Sequence, residues 1–317
     1  YAKTAPVRIF ENARLLADCG MSKGVTLSLQ STNAPTLRAV RRQNMSQEHF
    51  AEQIAAYRKH GIPTYTELII GLPEETYETF VQGVDQVLEA GQHEGLNIYP
   101  CLLLPNAEMA QPEYRERYRL RTVHSPLLQH HRTATRQPGV PLEWADVVIE
   151  TSTMPHADWL RAYLFAWAVQ SLHCLGLTSY LAIKARKDGA PYRRFYEQLL
   201  EWAGQHPETV LGAELRYVET KLHWATRGGD WGSVLPAFGE IVWPLEEATF
   251  LRLSLRANDL YDDLAHVYPL EAVAYQRDLA VRPEQFPDLE TWARETVWYG
   301  RKNPARRLLK SEVVNAH

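Results

Sequence analysis

The stretch Tyr65-Thr66-Glu67-Leu68-Ile69-Ile70-Gly71-Leu72-Pro73-Glu74-Glu75-Thr76 is the most informative in the chain, because a β-rich run breaks at Gly-Leu-Pro and passes at once into an acidic helix start. Gly71 permits a tight backbone turn, and Pro73 fixes its own φ angle. Glu74 and Glu75 place negative charge where a helix N-terminus carries partial positive charge. The pattern predicts a strand that ends at a loop able to bind a ligand.

The same order of strand, loop and helix recurs through the first hundred residues. Strands are predicted over residues 24–30, 64–71 and 97–103, and helices over residues 47–60 and 76–90, where apolar residues repeat at helical spacing. Strands that alternate with helices indicate a parallel sheet built from βαβ units, either doubly wound or part of a barrel.

The alternation of polar and apolar residues within these strands distinguishes a doubly wound sheet from part of a barrel. One sheet face would carry Ser28, Gln30, Glu67, Asn97 and Tyr99, while leucine and isoleucine occupy most of the other face. Burying such polar groups without partners costs about 1–3 kcal/mol each, so this face is too polar for a packed core. The pattern favours the inside of a ligand-binding barrel over its alternative, the solvated face of a half-covered sheet.

The first 110 residues or so resemble part of the barrel of the radical S-adenosylmethionine (SAM) superfamily. Residues 26–31 and 37–44 look like its fourth strand and the following helix, and residues 97–106 look like its sixth strand with a Leu-Pro-Asn ending. Residues 67–74 resemble its GxIxGxxE motif, with Glu67 in place of the first glycine. The resemblance is strongest to large members with a cobalamin-binding domain ahead of the barrel.

The resemblance implies a set of cofactor-binding residues. Ser28 and Gln30 fall where the superfamily places polar side chains against the SAM ribose. Arg42 falls near the expected position of the SAM carboxylate, a role that suits a planar guanidinium. Ile69 takes the adenine-contacting position, and Gly71 is a retained glycine of the motif.

The resemblance also implies the chemistry. Glu67 and Tyr99 would face the radical or the substrate and are the candidate catalytic residues. The implied cofactors are SAM and a [4Fe–4S] cluster, with cobalamin as a further cofactor left open. The implied partners are a small-molecule substrate and a reductant such as flavodoxin or ferredoxin.

The three cysteines do not offer a cluster site. Cys19, Cys101 and Cys174 are far apart in sequence, whereas the superfamily uses a CxxxCxxC motif for its cluster. Packed, reduced thiols are the favoured interpretation. The resemblance therefore implies that the cluster ligands and the first two barrel strands belong to a missing N-terminal segment, and that the chain as given does not cleave SAM reductively.

The composition changes after Pro105 and suggests three parts. Residues 1–110 are predicted to form the C-terminal half of a (β/α)6 barrel, strands 3–6, and residues 146–317 a mainly helical domain. Residues 111–145 are predicted to be a linker or capping segment without regular structure, running back over the barrel mouth. Its histidines are interpreted as exposed loop residues rather than metal ligands: His124, His130 and His131.

Composition restricts the class of protein. The chain is 45% hydrophobic and 23% charged, with a formal net charge of −4 and no apolar run long enough to span a bilayer. A mild negative charge argues against nucleic acid as the main partner. We expect a cytoplasmic protein without a membrane partner.

Three hypotheses follow. The favoured one is the C-terminal portion of a radical SAM enzyme that modifies a small molecule, with cobalamin-dependent methylation as one possible reaction. The second is a cluster-less binding or partner subunit that reuses the barrel. The third is an unrelated α/β enzyme with its own site at the strand ends, because fold analogy alone does not establish function.

Overall fold

The structure is a computed structural model that describes residues 6–21, 24–135, 139, 141–280, 283 and 287–298. It is a mixed α/β protein, as predicted. Tyr1 to Lys3 and the basic run from Arg301 to Arg307 lie outside the described residues.

The first sheet is parallel and three-stranded. Its strands are β1 (Val25–Thr26), β2 (Thr64–Ile70) and β3 (Leu96–Pro100), in the order β1-β2-β3. Helices α3 (Gln47–Lys59) and α4 (Tyr77–Glu89) are the crossovers between them, which confirms the predicted βαβ units. Two further helices complete this part: α1 (Pro6–Asp18) and α2 (Ala34–Ala39). Three strands do not define a barrel, so the barrel stays a prediction.

Both crossover helices form for reasons visible in the sequence. The Ser46 side chain caps α3 by accepting a hydrogen bond from the backbone N–H of His49. Thr76 and Thr79 form a capping box at the start of α4. The apolar residues predicted at helical spacing are all buried against the sheet: Phe50, Ile54 and Tyr57 in α3, and Phe80, Val84, Val87 and Leu88 in α4.

The first strand is less regular than predicted. The backbone N–H groups of Leu29 and Gln30 both donate to the Glu67 carbonyl oxygen, at 3.2 and 2.8 Å, so one residue is inserted as a bulge. Gln30 has a φ angle of 62°, in the left-handed region. The predicted alternation of side chains therefore stops before Gln30, and its expected position beside Ser28 on one face is not maintained by the backbone.

The predicted third strand is in fact two short strands. β3 ends at Pro100, and β4 (Leu102–Leu103) pairs in a different sheet. Cys101 lies at the junction: its N–H donates to the Ile70 carbonyl at 2.8 Å, and its carbonyl accepts from the Val148 N–H at 2.9 Å. The buried Cys101 is thus a packed thiol, and burial raises its pKa to about 12.

The prediction of a segment without regular structure over residues 111–145 was wrong. Helix α5 (Pro112–Tyr118) and strand β5 (Arg121–Pro126) lie within it. β5 pairs antiparallel with β6 (Trp144–Glu150) to give a second sheet in the order β4-β6-β5. Periodicity did not reveal β5 because its exposed and half-buried positions do not alternate simply in hydrophobicity.

The rest of the described chain is mainly helical. Helices α10 (Leu245–Leu255) and α11 (Ala257–Leu264) follow one another and are separated at Arg256. No helix among the described residues has the length and apolarity needed to cross a membrane. The other elements are α6 (His156–Ala168), a π-helical segment (Val169–Cys174), α7 (Ser179–Lys187), α8 (Tyr192–Gln205), α9 (Val210–Ala225), β7 (Gly232–Val234), β8 (Val242–Pro244), α12 (Leu270–Leu279) and α13 (Leu289–Ala293).

The π-helical segment (Val169–Cys174) connects the helical part of the protein to the first sheet through side-chain hydrogen bonds. The Gln170 side-chain oxygen accepts a hydrogen bond from the Ile98 N–H of β3 at 2.8 Å. His173 Nε2 lies 2.9 Å from His93 Nδ1, and His173 Nδ1 lies 2.8 Å from the Tyr196 hydroxyl. Burial lowers the pKa of both histidines, that of His93 to about 3, so this connection consists of neutral imidazoles.

Candidate functional site

The predicted polar face lies at one surface of the first sheet. Glu67 and Asn97 are paired in register, as are Ile69 and Tyr99, so each pair projects from the same side. Ser28, Glu67 and Asn97 are half-buried, and Tyr99 is 39% exposed. The face is therefore accessible rather than sealed, and polar groups there keep contact with solvent.

Arg42 lies at one side of this face, next to Ser28. Its Nε donates to the Asn44 side-chain oxygen at 2.9 Å, and its Nη2 donates to the Ser28 carbonyl oxygen. Burial lowers the Arg42 pKa, and the negative charge of Glu67 acts in the opposite direction. The structure thus brings together Ser28, Arg42 and Glu67, three residues that the sequence had assigned to one site. A guanidinium has five N–H donors, so Arg42 keeps donors for an anionic group.

Gly71 lies against the helical part of the protein. Its φ angle is 89°, and a Cβ atom there would lie 3.0 Å from Trp159 Nε1 and 3.1 Å from the Val148 carbonyl oxygen. The turn after β2 therefore needs a glycine for its conformation and for close packing against α6. Its predicted contact with SAM remains a prediction.

Gly71→Ala is expected to lower the free energy of unfolding by about 2 kcal/mol, because it adds a steric clash to the cost of a positive φ angle. Gly189→Ala is the matched control: Gly189 has a φ angle of 99°, but a Cβ atom there would meet nothing within 4 Å. Gly189→Ala should lower the free energy of unfolding by about 1 kcal/mol, because only the cost of the positive φ angle applies. Equal losses in urea titrations of the two variants would contradict the packing role.

Sequence reasoning singled out Glu74 as the motif glutamate, but its neighbour Glu75 is the buried one, with 1% of its surface exposed. Glu75 accepts a hydrogen bond from Thr79 Oγ1 at 3.1 Å and also bonds the Ser31 side chain. Its carbonyl accepts from Thr153 Oγ1 at 2.8 Å. Burial raises the Glu75 pKa to about 7, and the two side-chain hydrogen bonds only partly oppose this rise. Glu75 thus joins the loops that follow β1 and β2.

An apolar cleft of about 470 Å³ lies beside the polar face. Ile69 and Tyr99, which the sequence had assigned to the site, contribute to its wall. A concave, mostly apolar surface with few polar groups is the usual form of a small-molecule site. The remaining wall residues are Ile98, Pro100, Leu102, Leu104, Pro126, Leu127, Leu128, His130, Ala145, Val147, Tyr163, Trp231, Pro244 and Glu246.

The aromatic part of the wall was missed by sequence reasoning. Trp231 is held by a hydrogen bond from its Nε1 to the buried Ser125 hydroxyl at 2.8 Å, and its ring lies 6.0 Å from that of Tyr163. Burial raises the Tyr163 pKa, so its hydroxyl stays protonated at neutral pH. Trp231 follows a Gly-Gly-Asp turn outside any periodic segment, so no local pattern marks it.

The described residues supply no ligand set for a metal cluster. No group of three or more His, Cys, Asp or Glu side chains in this part of the chain could hold a metal ion. Cys19 is exposed, while Cys101 and Cys174 are buried separately in the structure. His124 pairs with Asp146 at 2.9 Å, and His131 with Glu247 at 2.5 Å, so both histidines have structural partners.

The fold is thus of the α/β class, and its polar sheet face next to an apolar cleft has the composition that is common in small-molecule sites. Sequence comparisons give a more specific result. The chain is 31% identical over 318 residues to the cobalamin-dependent radical SAM methyltransferase TokK from Streptomyces tokunonensis. The aligned region covers 91% of this chain and 46% of that protein. It is 38% identical over 217 residues to 2-(S-pantetheinyl)-carbapenam-3-carboxylate methyltransferase from Streptantibioticus cattleyicolor. That aligned region covers 67% of this chain and 31% of the relative.

No family model matches the chain. The two homologues are nevertheless methyltransferases by name, and at this moderate identity they support the radical SAM superfamily for this chain. The chain spans about half the length of the first of these relatives and about a third of the second.

Proposed function

We propose that this chain is the C-terminal portion of a radical SAM enzyme that methylates a small-molecule substrate, with cobalamin as a further cofactor. The observation that carries the proposal is the similarity to TokK over 91% of the chain, together with the grouping of Ser28, Arg42 and Glu67 beside a cleft. The [4Fe–4S] cluster would be bound by a segment outside these 317 residues.

In this proposal SAM binds on the polar face. The Arg42 guanidinium, which is half-buried and bonded to the Ser28 carbonyl oxygen, would bind the SAM carboxylate. Ser28 would bind the ribose, and Ile69 would contact the adenine ring. Gln30, which leaves the strand at a φ angle of 62°, receives no contact in this arrangement, although the resemblance had assigned it to the ribose. Bound SAM would supply the methyl and adenosyl groups of the reaction. The described residues offer no ligands for a cluster, so no step involving one is assigned to them.

The chain's own contribution to the reaction would be binding, orientation and exclusion of water. Ile69 and Tyr99 line the cleft and also flank the polar face, so a substrate in the cleft would lie next to SAM. Glu67 and Tyr99 would face the substrate as the candidate catalytic residues. A flavodoxin or ferredoxin would supply electrons to the complete enzyme in the cytoplasm.

The proposal is tested on the natural full-length protein, prepared anaerobically and reconstituted with iron and sulfide. We expect a reduced [4Fe–4S] signal in the electron paramagnetic resonance spectrum that changes when SAM is added. We also expect transfer of the methyl group of labelled SAM to a small molecule. A folded protein that shows no cluster and no response to SAM would favour the binding or partner subunit instead.

Arg42→Lys should weaken SAM binding at least tenfold, because an ammonium cannot reproduce the planar, two-nitrogen contact of a guanidinium. A tenfold change corresponds to about 1.4 kcal/mol. The matched control is Arg41→Lys, since the neighbouring Arg41 side chain is 77% exposed and pairs with Glu108. Equilibrium binding of SAM should change less than about twofold in the control. Equal effects of both substitutions would remove Arg42 from the SAM site.

A further inference from the structure

The cleft wall contains one carboxylate among its described residues. Glu246 lies in the first turn of α10 and is half-buried, and most other residues of the cleft wall are apolar, Pro126 and Leu128 among them. The N-terminus of a helix carries partial positive charge, which is a favourable environment for an acidic residue. Glu246 is also near enough to the Tyr163 hydroxyl, another wall group, for its charge to help raise the Tyr163 pKa.

The next residue, Glu247, shows that the two adjacent carboxylates differ in their surroundings. Glu247 is fully buried and lies 2.5 Å from His131, so it anchors the segment between β5 and β6. Glu246 instead forms part of the cleft surface. Glu247 is thus enclosed by the protein, whereas Glu246 contributes to the wall of the cleft.

A carboxylate on an apolar wall discriminates between ligands by their head groups. A ligand that donates an N–H or O–H group would gain a charge-assisted hydrogen bond. A ligand with a carboxylate at the same place would lose solvation and meet a like charge. Selectivity of this kind arises as much from rejecting the wrong ligand as from binding the right one.

We propose that Glu246 is a specificity-determining residue, which selects an apolar small molecule with a hydrogen-bond-donating head group and rejects one with an anionic head group. This inference rests on the proposed function, in which the cleft receives the substrate. The substrate is then oriented with its donor group towards α10, and any carboxylate of the substrate lies away from Glu246.

Three probes of equal chain length test the inference on the natural full-length protein: octylammonium, octanamide and octanoate. Binding is measured by calorimetry at pH 8, well above the ordinary pKa of a histidine side chain. We expect octylammonium and octanamide to bind at least tenfold more tightly than octanoate. Glu246→Gln should reduce this preference to less than threefold. Glu208→Gln, which alters an exposed carboxylate outside the cleft wall, should leave it unchanged.

Three results would overturn the inference: octanoate binding as tightly as octylammonium, an unchanged preference in Glu246→Gln, or no binding of any probe at millimolar concentration. Circular dichroism and melting curves of both variants verify that they are folded. The measurement needs neither SAM nor a cluster. A failure of head-group selection is therefore distinguishable from a failure of the proposed function, which would appear as a missing cluster signal or missing methyl transfer.

Discussion

Arg252→Met is expected to lower the free energy of unfolding by about 3–5 kcal/mol, because it leaves a buried carboxylate without its partner. Arg252 Nε donates to Glu214 Oε2 at 2.9 Å, and Arg252 Nη2 donates to Glu214 Oε1. Only 8% of the Glu214 side chain is exposed. The guanidinium also lies 4.3 Å from the centre of the Tyr217 ring. Urea titration with intrinsic tryptophan fluorescence measures the loss.

Two comparisons isolate the cause. Arg256→Met, which removes an exposed ion pair with Asp259, should cost less than about 1 kcal/mol. The double variant Glu214→Gln and Arg252→Met should recover part of the loss, because no unpaired charge remains in the core. If Arg252→Met lowers the free energy of unfolding no more than Arg256→Met does, Glu214 is not effectively buried.

The Arg252 network matters for the site because α10 carries both Arg252 and Glu246. Glu214 also accepts a hydrogen bond from Thr249 Oγ1 at 2.6 Å, and Thr249 Oγ1 accepts one from Trp167 Nε1 at 2.9 Å. These contacts join α10 to α6 and α9. The position of the cleft carboxylate thus depends on an ion pair in the core.

Glu75→Gln is expected to abolish a pH dependence of stability that amounts to about 3 kcal/mol. Burial raises the Glu75 pKa from 4.5 to about 7, and each pKa unit corresponds to about 1.36 kcal/mol. The folded protein therefore holds the proton more tightly than the unfolded chain. The stabilisation is fully present below pH 4.5, is lost progressively as the pH rises to about 7, and stays absent above it.

The measurement is the difference in unfolding free energy between the natural protein and Glu75→Gln at several values from pH 4.5 to 8. This difference should change by about 3 kcal/mol in favour of the variant as the pH rises. Glu78→Gln is the control, because Glu78 is exposed in the first turn of α4, the helix that follows Glu75, and its substitution should change stability by less than about 0.5 kcal/mol. A difference that is independent of pH would show that Glu75 is solvated.

Much of the first hundred residues could be predicted from the sequence. The strand Thr64–Ile70 and the helices that flank it were found because their apolar residues repeat with a clear period. Arg42, Ser28 and Glu67 were assigned to one site, and the structure brings them together. Their assignment to SAM remains a proposal.

Other features could not be predicted because they depend on residues distant in sequence. Strand β5 is stable through its pairing with β6, not through its own pattern. Glu75 and Glu74 are equivalent by composition, and only the packing of Ser31 and Thr153 against their loop makes one of them buried. The cleft carboxylate Glu246 looks like any acidic residue at a helix start.

The sequence by itself therefore determined the local elements of this protein: the βαβ order, the glycine turn at Gly71 and the polar residues along β2 and β3. These depend on backbone preferences and on short-range periodicity, which neighbouring residues specify. Only the tertiary structure decided which side chains are buried, which carboxylate keeps its proton and which residues form the cleft. Burial, desolvation and cavity shape arise when distant segments pack together, and no local pattern contains them.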